Sequence, residues 1–77
     1  MNVQQRDHRT AITWIEGEIE NMIHELGKPN ASAAATSCIT LAYMLRAIDD
    51  AEHRHYRARI DQIYASFNAK FKQEAAA

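Results

Sequence analysis

An all-α fold is predicted: an antiparallel helical hairpin with a long second helix, or with a third helix after about residue 49, assembled into an oligomeric helical bundle. Three observations predict it. Apolar residues mirror one another about Gly27-Lys28-Pro29, in the pairs Leu26/Ala34, Met22/Cys38, Ile19/Leu41, Ile15/Leu45 and Ile12/Ile48. Their spacing alternates three and four residues, which keeps one helix face turned toward a partner helix. Strong helix breakers are almost absent, with two glycines and one proline in the whole chain. After a polar interval, apolar spacing resumes at Tyr56, Ile60, Ile63, Phe67 and Phe71.

The first helix is predicted from near Asp7 or Thr10 to Leu26. Thr13 and Glu16 also have capping-box spacing, so its first turn has more than one candidate. Gly27 suits the left-handed position that ends a helix, and Pro29 just beyond cannot continue it. Asn30 then offers a side-chain acceptor to the free N–H groups that open the next helix. Gly17, inside the first helix, marks either a close backbone approach or an exposed glycine; it costs about 1 kcal/mol relative to alanine.

Small residues, Ala31, Ala33, Ala34 and Ala35, open the second helix and leave space for Met22 or Trp14 opposite. Its stripe is read as Cys38, Leu41, Leu45 and Ile48. Past Ile48 the phase changes: continuing the stripe would place Glu52, His55 and Arg59 in a core. The aromatic stripe lies about one residue later, a rotation of about 100° on a helix. Extending the mirror would set His8 against Glu52 and Gln5 against His55, so residues 56–71 need a different partner surface.

Two solutions satisfy this. A continuous helix over 31–72, roughly 60 Å at 1.5 Å per residue, would overhang the first helix and bury its end against another subunit. Alternatively the chain turns near Asp49 and Asp50, where Asp49 and Glu52 have capping-box spacing. The tetrad Ile48-Asp49-Asp50-Ala51 holds no glycine, proline or asparagine, and Asp50/Arg54 suits an unbroken helix. The continuous helix is favoured. Either way the stripe Tyr56, Ile60, Ile63, Phe67 and Phe71 is assigned to self-association, since so much apolar surface is not left wet.

With 77 residues there is room for one helical domain, 1–77. A chain this short is marginally stable alone. Its single cysteine, Cys38, excludes a disulfide within the chain and lies on the apolar stripe as a small hydrophobe. Oligomerisation is the expected source of extra stability. The net charge of −1 excludes a strongly basic nucleic-acid binder and gives no long-range attraction to anionic membranes. No apolar run is long enough to span a bilayer, and Met1 to Thr10 lacks a signal-peptide hydrophobic region. A cytoplasmic protein is expected, without direct nucleic-acid or membrane partners.

Few residues carry recognisable chemistry. Glu52-His53-Arg54-His55 contains the Glu-x-x-His spacing of helical di-iron carboxylate sites, with Glu16, Glu18 or Glu20 as further carboxylates. The favoured reading is a solvated charged stretch, so no metal or other cofactor is assigned. His53, Arg54, His55, Arg57 and Arg59 form the only basic cluster, interleaved with Asp49, Asp50, Glu52 and Asp61. Without a helix-turn-helix pattern it reads as a salt-bridged surface or a protein-binding face. Glu16, Glu18, Glu20 and Glu25 give the first helix a solvated outer face, or an acidic surface that competes for a basic one. Trp14 lies off the seam and is read as a secondary core residue, or otherwise as an interface anchor. No nucleophile–base pair and no phosphate-cradling glycine loop is present, so no enzymatic activity is expected.

The hairpin from Ile12 to Ile48, its Gly27-Lys28-Pro29 turn and the polar-to-aromatic continuation through Phe71 resemble the small all-helical accessory proteins of temperate bacteriophages. Among these the chain is most similar to short antirepressors, which bind a phage repressor and dislodge it from its operator. The resemblance implies a non-enzymatic regulator that forms a homodimer or higher oligomer and binds a DNA-binding repressor. Arg54, Tyr56, Arg57, Glu16 and Glu20 are the candidate partner-binding residues. A structural oligomerisation module is the alternative, and a metal-binding helical bundle a lesser one.

Overall fold

The computed structural model describes residues 2–76, with side chains as far as Lys70. They form three helices: α1 (Val3–His24), α2 (Ala33–Met44) and α3 (Asp50–Ala76). The fold class is therefore all-α, with the chain turned after α2 rather than continued as one long helix.

Helix α1 starts earlier than either predicted site. The Asn2 carboxamide oxygen accepts from the Gln5 backbone N–H at 2.8 Å, and the Gln5 side chain accepts from the Asn2 N–H at 3.1 Å. This reciprocal box satisfies two of the free donors of the first turn and fixes the start. Thr13 is interior, its hydroxyl donating to the Arg9 carbonyl at 2.9 Å. Ile15, Ile19 and Met22 are buried along one face, flanked by the partly buried Ile12 and Leu26. Gly17 is the exposed glycine of the two readings, with open space where a Cβ would lie.

After His24 the chain leaves the helix, and Gly27 takes a left-handed φ of 96° in the connecting turn. Asn30 does not cap α2. It is itself left-handed, at φ 64°, and Ser32 occupies the N-cap position without a side-chain hydrogen bond.

The inward face of α2 is not the predicted one. Ala35, Ile39 and Ala42 are buried, whereas Leu41 and Leu45 are 57% and 70% exposed. Cys38 is only half-buried. The mirror pairs Ile19/Leu41 and Ile15/Leu45 therefore do not form the seam. The physical reason is that α2 carries no charged side chain, so two neighbouring stripes are both apolar and the pattern does not say which turns inward.

The break between α2 and α3 uses devices that need no glycine or proline. The Ala47 N–H donates to the Ala42 carbonyl at 2.8 Å and the Arg46 N–H to the Tyr43 carbonyl at 3.0 Å. With Arg46 left-handed at φ 61°, these two bonds make a Schellman ending to α2. Three residues later Asp49 and Glu52 exchange side-chain to backbone hydrogen bonds, at 2.8 and 3.0 Å, and open α3. Tyr43 braces the corner: its hydroxyl donates to Asp50, and its ring stacks on His53 with centroids 4.2 Å apart.

Turned back in this way, α3 lies beside α1 and runs in the same direction. His8 meets Glu52, Glu16 meets Tyr56 and Arg59, and a Cβ on Gly27 would lie 3.6 Å from the Phe67 ring. Ile48, Tyr56 and Ile60 complete the core with α1 and α2, and Ile63 and Tyr64 border it. The aromatic stripe thus has an intrachain partner. Its assignment to self-association is corrected for Tyr56 and Ile60, which are buried within the chain, while Ile63 and Phe67 are half-buried. Phe71 lies outside the described side chains. The molecule measures 54 × 20 × 18 Å, with the end of α3 running on past the α1–α2 turn at Phe67.

Candidate protein-interaction site

Two surfaces stand out once the helices are placed, one apolar between α1 and α2 and one charged along α3.

The apolar surface is a groove of about 460 Å³. Its α1 wall includes Asp7, Ala11 and Trp14, and its α2 wall Cys38, Leu41 and Leu45, with Arg46 at one end. The stripe on α2 that does not enter the core forms this wall. Trp14 is 62% exposed here, so it is not a secondary core residue but the large aromatic of the groove. Met44 adds to the wet apolar surface at the end of α2, 72% exposed. Half-burial of the Cys38 thiol, reinforced by the nearby Glu18 carboxylate, pushes its pKa up. The thiol is thereby a poor nucleophile, as a small hydrophobe in an apolar wall should be.

The charged surface divides the predicted partner-binding residues. Arg54 and Arg57 on α3 and Glu20 on α1 are exposed. Glu16 and Tyr56 are instead committed to each other. The Tyr56 hydroxyl donates to Glu16 Oε1 at 3.1 Å, and Arg59 Nη1 donates to Glu16 Oε2 at 2.6 Å. This strap ties α1 to α3 beside the core. The Arg59 guanidinium holds the Glu16 carboxyl below its ordinary pKa. Burial, and then the bond to Glu16, pushes the Tyr56 hydroxyl up to about 12. With Tyr56 buried in the core, it is corrected from partner-binding to structural.

Glu52 and His55 do not converge on a shared point. Glu52 accepts from the Asp49 N–H at one oxygen and pairs with His8 Nε2 at 2.6 Å through the other. His55 packs edge-on against the Tyr56 ring, centroids 5.1 Å apart. Among the described residues no group of three histidine, cysteine, aspartate or glutamate side chains is placed to hold a metal ion. The groove itself was missed in the sequence. Its signal was the uncharged run through α2, which leaves apolar surface over after one face has entered the core.

No protein-family model, curated protein or solved structure matches the chain.

Proposed function

We propose that this protein is a non-enzymatic regulator that self-associates through its helices and binds another protein. The observation that supports it best is the unfinished surface of α2. A helix apolar on nearly every side is one that is covered on nearly every side, yet here Leu41 and Leu45 stand in water in one groove with Trp14, and Met44 is exposed as well. Exposed apolar surface of this kind marks a protein–protein contact. Arg54, Arg57 and Glu20 add charges that orient a partner without forming a basic surface.

The sharpest form of this reading is an antirepressor that displaces a phage repressor from its DNA, working in the cytoplasm. Among the described residues no helix is long and apolar enough to cross a membrane, which is compatible with that setting. At net charge −1 the chain lacks the counterion-release contribution that underlies ordinary DNA affinity. Its effect on DNA binding would come through the protein partner.

The test is capture of a partner from the native host, followed by a gel-shift assay of that partner on its operator. The protein is expected to release the partner and to shift no DNA itself. Charge reversal, Arg54→Glu with Arg57→Glu, should weaken partner binding and leave helicity unchanged. Tight, salt-sensitive binding of the protein alone to duplex DNA would overturn the reading. Capture of nothing but its own copies would favour a purely structural oligomerisation module, which shares the same apolar surface.

A further inference from the structure

We infer that the groove between α1 and α2 is the seat of a second copy of this chain, arranged about a two-fold axis that runs along the groove. The inference rests on the self-association proposed above and assigns it to one surface. Three observations select this occupant.

The first is area. A monomer of this mass exposes about 4,800 Å² by the usual scaling, and this chain exposes 5824 Å². The surplus of roughly 1,000 Å² compares with the roughly 800 Å² that each partner buries in a standard interface. The groove face contributes to it, with Trp14, Leu41 and Leu45 each more than half exposed.

The second observation is charge. The groove carries an acid, Asp7, on its α1 wall and a base, Arg46, on its α2 side. A two-fold along the groove sets α1 of each copy against α2 of the other. Asp7 of one chain then comes level with Arg46 of the second, and the same pairing recurs on the other side. A face that complements itself in this way needs no foreign charge pattern. The exposed Arg54 and Arg57 lie on α3 and are left for a different protein.

The third observation is the α2 helix, with no charged side chain. Docking it against a copy buries Leu41, Leu45 and Trp14 without desolvating any charge of α2, so the usual penalty of a buried ion is avoided. The interface centre is thereby apolar with an aromatic anchor, and the charges stay at the rim.

Sedimentation equilibrium of the full chain tests the assignment. The wild type is expected to be a dimer. The double variant Leu41→Asp/Leu45→Asp, at two exposed positions, should keep its helical circular dichroism and associate on the order of a hundredfold more weakly. Emission from Trp14, the only tryptophan, should shift to the red in that variant. Arg54→Glu/Arg57→Glu should remain dimeric. Asp7→Arg and Arg46→Asp should each weaken the dimer alone and regain it when mixed, because each then supplies the charge that the other lacks. A wild-type monomer would overturn the self-association reading and this inference together. A dimer that survives Leu41→Asp/Leu45→Asp, or that Arg54→Glu/Arg57→Glu breaks, would keep self-association and remove it from the groove.

Discussion

Ile39 and Leu41 sit two residues apart on α2 and face different surroundings. Ile39 has no solvent exposure and touches the core built by Ile15, Ile19 and Met22, whereas Leu41 is mostly exposed in the groove wall. Truncating a closed-in isoleucine removes its contacts and leaves a cavity, which costs about 2–5 kcal/mol. Truncating a wet leucine removes little from the folded monomer, within about 0.5 kcal/mol. Ile39→Ala should therefore lower the denaturant midpoint sharply and Leu41→Ala barely, both measured in dilute protein so that association does not contribute. The reverse order would mean that the other stripe of α2 faces inward. At the same scale, Glu16 shows why a charge on a helix face is not automatically free for a partner. Its two oxygens are taken by Tyr56 and Arg59, and only the folding-back of α3 reveals this.

The corner between α2 and α3 turns on a residue that rarely ends a helix. Arg46 holds a left-handed φ of 61°, a conformation that costs a residue with a Cβ about 1–2 kcal/mol and costs glycine little. Arg46→Gly should therefore stabilise the monomer by about 1 kcal/mol, read in dilute protein, where association does not contribute, as a higher melting temperature with unchanged helicity. Inside a continuous helix the same change would destabilise by about 1 kcal/mol. The sign of the shift thus decides between a turned chain and an unbroken one. Much of each element was legible in the sequence. The α1 stripe Ile15, Ile19 and Met22, the turn at Gly27 and the second-phase stripe through Tyr56 and Ile60 all follow from spacing. The Asp49/Glu52 box was visible too, but an absence of glycine and proline outweighed it. Spacing also could not orient α2, because orientation is read from the contrast between an apolar and a polar face, and α2 has no charged face to supply that contrast. The groove was hidden for the same reason: it is the face left over once orientation is known.

At the scale of the whole molecule, a core of three short helical faces leaves the chain with more surface than its mass requires. Its core is small, with Ala35 and Ala42 contributing little area on the α2 side, so folding is expected to lean on association. Linkage gives this a measurable form: whatever binds only the folded state stabilises it in proportion to the logarithm of its concentration. For a self-associating chain the ligand is the chain itself. Raising its total concentration from near the dissociation constant to about a hundredfold above it adds roughly 1 kcal/mol, because the free chain rises only as the square root of the total once most chains are paired. In a domain of this size each kcal/mol moves the melting temperature by about 4–8 °C. The melting temperature of the wild type should therefore climb by roughly 4–8 °C across that range of concentration. Leu41→Asp/Leu45→Asp should show a nearly flat dependence, because its monomer keeps the core and loses the covering copy. A wild-type melting temperature independent of concentration would mean that the three helices stabilise themselves, and that the wet face of α2 serves a partner other than a second copy.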